Sequence, residues 1–323
     1  MKKNVAIIGC GIIGSRHLQA LVKTNFPLNI HVVEKHSKSK NTAISLLKEI
    51  SYNKKNHKIF WHQSLTKFKE ECDLVIISTR SPNRVKIISK LLQKGYKKFL
   101  IEKIVCQSTT EYKLLMKEMK KFSALAWINT PRRYFQSYQK IKNEIQHAKF
   151  LHLSVFCENV GLGTNSIHYV DLFSWFIDDY SLKLKGDFLL PKVFPSKRGK
   201  DFKEFFGTIN GSNLSNTHSL QITSLPSSRD NMYVIISTDL GQYVIDELNQ
   251  KMVFMNVRSL KSKFLFEYTS SITTKIVSDI FDKNSCLLPT LSNSFIAHTE
   301  IFKIFNNHIK KQLKRDVSLC PIT

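Results

Sequence analysis

Long apolar runs are missing from this chain. No stretch approaches the roughly eighteen uninterrupted apolar residues of a membrane span. The apolar opening over 5–13, behind Lys2 and Lys3, is broken by glycine and followed at once by Arg16 and His17, with no small-residue cleavage site. The expectation is a soluble, cytoplasmic protein with no membrane partner. Paired cysteines are missing too. Cys10, Cys72, Cys106, Cys157, Cys286 and Cys320 are scattered without a C-x-x-C pair, so their spacing gives neither a disulfide framework nor a zinc site, and no metal is expected.

Acidic residues are few. Asp and Glu number 25 against 49 Lys and Arg, a net charge of +24. Arginine is scarcer still, 9 residues against 40 lysines. Base readout leans on arginine, and stacking platforms interleave aromatics with basic residues. Here the lysines are spread along the whole chain, as at 38–40, 54–55, 97–98 and 310–311. Nucleic-acid binding is therefore not the expected main function. Attraction of anionic small molecules, such as phosphorylated or nucleotide-linked sugars, stays open.

What is present fits an ordinary globular protein: 42% apolar and 23% charged residues in a chain of 323, long enough for two cores. The first part alternates strand and helix patterns. Strands are expected over 5–8, 30–33, 58–61, 74–78 and 99–101, with helices over 15–23 and 82–92. Such alternation implies parallel pairing through right-handed crossovers, hence an α/β, doubly wound sheet. After a further strand at 125–128 and a helix over 135–145, the character changes. Strands over 150–156, 205–209, 218–223, 232–238, 242–246 and, more weakly, 252–257 suit a large, mostly antiparallel open sheet. Helices over 166–176 and 294–313 complete this α+β part. The expected boundary lies near 124, giving a nucleotide-binding domain over 1–124 and a substrate and oligomerisation domain over 125–323.

Gly9-Cys10-Gly11-Ile12-Ile13-Gly14 follows the first strand and opens the first helix. The first glycine permits a tight turn, the second admits a pyrophosphate against the backbone, and the third lets helix and sheet pack closely. Ile12 and Ile13 carry helix N-terminal amides toward the same anion. Glu34 lies 20 residues beyond Gly14 at the end of the second strand, where a carboxylate accepts from ribose hydroxyls. This is a Rossmann dinucleotide site. Glu34 favours NAD, since a carboxylate repels the extra phosphate of NADP, while Lys35 and Lys38 beside it keep NADP possible.

Further segments carry a family resemblance. Gly14-Ser15-Arg16-His17 completes a G-x-G-x-x-G-x-R-H opening, Glu102-Lys103 ends a strand, and His168-Tyr169-Val170-Asp171 forms an H-x-x-D run. Together with Asn129, Arg132 and Arg133 after the domain junction, they resemble the Gfo/Idh/MocA oxidoreductases, the glucose-fructose oxidoreductase and inositol dehydrogenase family. The resemblance implies hydride transfer between nicotinamide C4 and a carbinol or ketone carbon of a sugar or sugar derivative, in the setting of surface-polysaccharide or nucleotide-sugar synthesis. It implies Lys103 and His168 as the groups that hold the reacting oxygen and move its proton, with Asp171 orienting the imidazole. Thr79, Glu102 and Lys103 would join the cofactor site; Lys103, Asn129, Arg132, Thr164, Asn165 and His168 would meet substrate. It also implies a homodimer or homotetramer. Arg80, Asn83 and Arg84, after the fourth strand, either touch cofactor or substrate or form a solvated loop. Two positions depart from the family: Ile104 replaces the proline after the motif lysine, and Thr164 replaces an aspartate four residues before the histidine. The missing aspartate motivates a second reading, a non-catalytic dinucleotide-binding sensor or regulatory protein, which the retained Lys103 and His168 oppose.

Overall fold

The computed structural model describes residues 2–256 and 259–323. The first sheet is built from β1 (Lys3–Ile8), β2 (Leu28–Val33), β3 (His57–His62), β4 (Leu74–Ile77), β5 (Lys98–Glu102) and β6 (Leu125–Asn129). Their order is β3-β2-β1-β4-β5-β6, and every neighbouring pair is parallel. The reason is legible in β4, whose Leu-Val-Ile-Ile is buried at all four positions, as a strand covered on both faces must be. Helices α1 (Ile12–Leu21), α2 (Ser37–Lys48), α3 (Arg84–Gln93) and α4 (Thr109–Lys121) make the crossovers. Because the order reverses between β1 and β4, a crevice opens at the carboxyl ends of those two strands.

The second sheet has eight strands: β7 (Leu151–Glu158), β8 (Leu182–Leu189), β11 (Gly207–Asn213), β12 (His218–Leu225), β13 (Asn231–Thr238), β14 (Gly241–Asp246), β15 (Lys251–Met255) and β16 (Ser259–Lys263). A separate ribbon pairs β9 (Phe194–Ser196) with β10 (Gly199–Glu204). The sheet order is β16-β15-β14-β13-β7-β12-β11-β8, antiparallel except for the parallel pair β7 and β12. Burial alternates along β7, so one face is covered and the other open. Helices α5 (Gln136–Glu144), α6 (Leu162–Phe176), α7 (Thr269–Lys283) and α8 (Phe295–Leu313) follow the numbering of the chain.

Contacts divide the protein into two compact units. The first holds Met1–Cys106, Thr110–Pro131 and Glu267–Ser292; the second holds Gln107–Thr109, Arg132–Phe266 and Asn293–Thr323. This differs from a single cut near 124. β6 pairs with β5 in full register and so completes the first sheet. The chain then returns at α7, which packs on α1 and was not anticipated. Elsewhere the local differences are small but informative. The strand expected over 205–209 is β11, which starts two residues later at Gly207 with φ near 108°, while the separate β10 ends at Glu204. The helix expected from 166 starts at Leu162, which puts Thr164 and Asn165 in its first turn. The strand expected over 252–257 is β15, and its last residue, Val257, lies outside the described residues.

Candidate functional site

In the first unit the glycine loop is shaped by contact. Gly9 sits at φ 87°, a left-handed conformation that a side chain would strain. A Cβ on Gly14 would stand 2.2 Å from the Gly9 carbonyl oxygen and 2.9 Å from Ser78 Oγ. A Cβ on Gly11 would meet nothing within 4 Å, so this glycine faces open space. Gly11 also caps α1 without any side-chain bond, and the first-turn amides of Ile12 and Ile13 point past the helix end. A crowded first and third glycine around an open second one is the form a pyrophosphate requires.

Glu34 is nine-tenths buried beside this loop. Its Oε2 accepts from Cys10 N at 2.7 Å and its Oε1 from His36 N at 2.8 Å. Those two bonds fix the carboxylate while leaving lone pairs for a ribose diol. The donor set and the cradle both fit a dinucleotide. Thr79, at the end of β4, lies under Gly9 with its Cγ2 2.9 Å from where a Gly9 Cβ would be, and its Oγ1 is buried with no partner.

At the carboxyl edge of β5 stand Glu102 and Lys103, 9% and 7% exposed. Glu102 receives the Asn129 amide of β6, and His17 Nε2 lies 3.1 Å from its Oε1. Burial alone would raise the Glu102 carboxyl. The bond and charge of His17, the Asn129 amide and the Lys103 charge outweigh it, so Glu102 is held below its ordinary value. His17 is anchored on its other nitrogen by Thr273 of α7 at 2.9 Å. Arg84 donates to the carbonyls of Thr79, Glu102 and Ile104 and is 2% exposed. The peptide bond between Lys103 and Ile104 is cis.

In the second unit the arginines after the junction turn inward. Arg132 donates to Glu247 through Nε at 3.0 Å and Nη2 at 2.8 Å and stacks on the Tyr169 ring at 4.2 Å. Arg133 grips both oxygens of Asp171, at 2.9 and 2.6 Å. Two residues expected to meet substrate or histidine, Arg132 and Asp171, are thereby committed to buried ion pairs. His168 lies on the same helix as Asp171, three residues earlier.

Thr164 has a partner the sequence reading missed. Its N–H donates to Glu204 Oε1 at 3.1 Å, and its Oγ1 donates to Glu204 Oε2 at 2.6 Å. Two glycines make room for that carboxyl. A Cβ on Gly161 would lie 2.0 Å from Glu204 Cγ and Cδ, and one on Gly163 would lie 2.5 Å from Oε1. Gly161 and Gly163 were the only local signal. Asn165 turns back, its Nδ2 donating to the Gly161 carbonyl at 3.1 Å.

Burial raises the Glu204 carboxyl, and the bonds from Thr164, Phe205 and Gly163 offset this only in part. An acid raised on folding stabilises the fold below its ordinary value of 4.5 and loses that contribution as pH climbs through the raised one. Glu204→Gln should remove this slope. The Tm of the wild type relative to Glu204→Gln is expected to be highest below pH 4.5 and to fall as pH rises above it. Parallel Tm–pH curves for the two proteins would contradict the assignment.

Residues 3–130 match the model of the Gfo/Idh/MocA oxidoreductases, described as an oxidoreductase family with an NAD-binding Rossmann fold. Residues 3–130 belong to that family. The first unit is thus an NAD-binding Rossmann domain of an oxidoreductase. No curated protein matches the chain. Among solved structures, an oxidoreductase from Agrobacterium radiobacter, in complex with NAD+, L-tartaric acid and magnesium, is 11% identical, covers 98% of each chain and has a TM-score of 0.74. UDP-N-acetylglucosamine 3-dehydrogenase from Acidithiobacillus ferrooxidans is 12% identical over 94% of this chain and 97% of its own, with a TM-score of 0.71. Biliverdin reductase from Synechocystis, in complex with biliverdin and NADP+, is 11% identical over 93% and 97%, with a TM-score of 0.68. At such identities the likeness is one of fold. It extends through both units of the chain. Among the described residues no helix is long and apolar enough to cross a membrane, and no group of three His, Cys, Asp or Glu could hold a metal ion.

Proposed function

We propose that the protein is an NAD(P)-dependent dehydrogenase or reductase acting on a hydroxyl or keto carbon of a sugar or sugar derivative. The observation that carries this reading is Lys103, a buried lysine at the carboxyl end of β5, following a carboxylate held below its ordinary range. A lysine held out of water beside a perturbed carboxylate on the edge of a dinucleotide-binding sheet is the kind of group that marks a functional site.

Bound at this site, a dinucleotide would supply or accept the hydride. The remaining work belongs to side chains of this chain. Gly11, Ile12 and Ile13 would hold the pyrophosphate, and Glu34 the adenosine ribose. Lys103 donates to the reacting oxygen and steadies the charge that develops there. His168 takes the proton from that oxygen in oxidation and returns it in reduction, since an imidazole titrates near neutral pH. Thr164 meets a substrate hydroxyl, and Glu204 behind it supplies the negative charge that the family draws from an aspartate. Asn129 and Asn165 are assigned as substrate contacts by the family resemblance, whereas Arg132 and Asp171 brace the second unit.

The sugar dehydrogenase among the similar folds and the lysine-rich surface support a sugar or nucleotide-sugar substrate, in a cytoplasmic homodimer or homotetramer. The deciding experiment follows NAD(P)H absorbance with sugars, inositols and nucleotide-sugars, using Lys103→Met and His168→Ala as controls. Each variant is expected to lose about 100- to 10,000-fold in kcat, the usual worth of a positioned proton donor or acceptor. Full turnover in both variants would sink the assigned roles. Steady turnover of any such substrate by the wild type excludes a non-catalytic sensor.

A further inference from the structure

We infer that Arg84 is the positioning residue for Lys103, holding the main-chain carbonyls of the residues on both sides of it. The inference rests on the reading of Lys103 as the group that meets the reacting oxygen. Arg84 opens α3 directly after Asn83, which stands in a left-handed conformation at φ 61°. Its guanidinium is among the most buried large side chains of the protein, at 2% exposure. Nη1 donates to the carbonyls of Glu102 and Ile104, and Nη2 donates to the carbonyl of Thr79.

β4 ends at Ile77 and β5 at Glu102. The last register pairs of β5 are Ile77 with Ile101 and Glu102 with Asn129. The register of β5 with β6 ends there. Lys103 is the first residue after the end of the strand. The guanidinium takes over at that point, gripping the carbonyl of the residue before Lys103 and of the residue after it. The peptide plane that enters Lys103 is thus held directly and the chain just beyond it is held at the Ile104 carbonyl, which confines the direction of the Lys103 Cα–Cβ bond. The third bond, to Thr79, ties this grip to the end of the adjacent strand.

Only a planar fork with several fixed donors can reach three carbonyls at once. A lysine ammonium is a compact point donor on a flexible stem and cannot span them. A buried cation that spends its donors on main-chain carbonyls is a costly way to close a turn, which favours a role in placing what lies between those carbonyls. The ammonium of Lys103 hangs on four rotatable bonds, so an error at its Cα grows along the stem. Misplacement of a reacting group by about 1 Å costs on the order of 100-fold in rate.

The test uses the full-length protein and the variants Arg84→Met and Arg84→Lys. Acetic anhydride labelling, mapped lysine by lysine, reads the local order around Lys103 without any need for a substrate. Lys98, half-buried on β5 itself, is the internal control. In Arg84→Met the labelling of Lys103 is expected to rise about tenfold, equivalent to roughly 1.4 kcal/mol of local opening, while Lys98 stays unchanged. Arg84→Lys should fall between the two. With a turnover assay in hand, kcat should drop about 100-fold in Arg84→Met with little change in the KM for the dinucleotide. Unchanged Lys103 labelling in Arg84→Met overturns the inference. So does a common rise at Lys103 and Lys98, which marks a general loosening of the unit. If Arg84→Met does not fold, the same comparison in Arg84→Lys decides the matter. Failure of the catalytic reading looks different: Lys103→Met would then leave turnover intact, and the labelling result would still stand on its own.

Discussion

Glu247→Ala is expected to destabilise the second unit by about 3–5 kcal/mol, the cost of stranding a buried charge. Glu247 is fully buried. It accepts from Arg132 Nε and Nη2, from Tyr138 OH at 2.6 Å and from Tyr169 OH at 3.4 Å. Burial opposes the charge on Arg132, and Glu247 with its two bonds more than compensates, holding the guanidinium ionised. Alanine would remove the one carboxylate that all three donors share. The buried guanidinium and two phenols would then lack their acceptor at once. Glu247→Gln, which keeps one acceptor oxygen, should cost less. Denaturant midpoints for the three proteins measure the difference. A loss in Glu247→Ala of under about 1 kcal/mol, the range of an exposed pair, would mean the cluster is not the brace described here.

The second large effect concerns Asp171. Its carboxylate and the Arg133 guanidinium are 4% and 3% exposed, and two bonds join them. Arg133 also reaches Tyr180 OH at 3.2 Å. Asp171→Ala should therefore cost about 3–5 kcal/mol of stability, again by leaving a cation buried without its counter-charge. Removing both charges in Asp171→Leu with Arg133→Met should restore most of that loss, because an apolar pair of similar bulk can equal a buried ion pair. The expected signature is thermodynamic. Folded Asp171→Ala protein should keep its kcat within a few-fold, unlike His168→Ala. A fall in kcat on the order of 100-fold with unchanged stability would instead return Asp171 to its expected place as the partner of His168.

The two predictions also mark where sequence reading stops. The glycine loop and Glu34 were legible because their physics is local: a turn at Gly9, a contact at Gly14 and a carboxylate one strand away. The buried strands of the first sheet were legible because parallel strands covered on both faces are apolar without interruption. Arg132 was not legible in the same way. Its chemistry depends on Glu247, 115 positions along the chain, and nothing near Arg132 announces that carboxylate. Without the partner, an arginine after the junction reads as a substrate contact; with it, the same residue is a buried brace. Thr164 repeats the lesson in reverse. The family resemblance marks an aspartate absent at 164, and Thr164 meets a carboxylate all the same, that of Glu204, 40 positions on. Helix α7 was missed for a different reason. Its Thr-Ser-Ser-Ile-Thr-Thr opening is rich in residues of low helix propensity, although Ile272, Ile276, Val277 and Ile280 mark a buried helical face.

That helix has a consequence for how the protein is made. The nucleotide-binding unit is discontinuous: α1 lies near the start of the chain, and its covering helix α7 lies beyond residue 268. During synthesis, α1 and the six parallel strands leave the ribosome long before α7 exists. Until then the face of α1 that α7 covers stays wet, and His17 has no Thr273 to fix its ring. Contacts of such long sequence separation are slow to form and leave apolar surface exposed meanwhile. A fragment ending after β6 contains every residue of the glycine fingerprint and the whole first sheet, yet it is an unfinished domain. The last piece of the dinucleotide-binding unit is supplied only after most of the other unit has been translated.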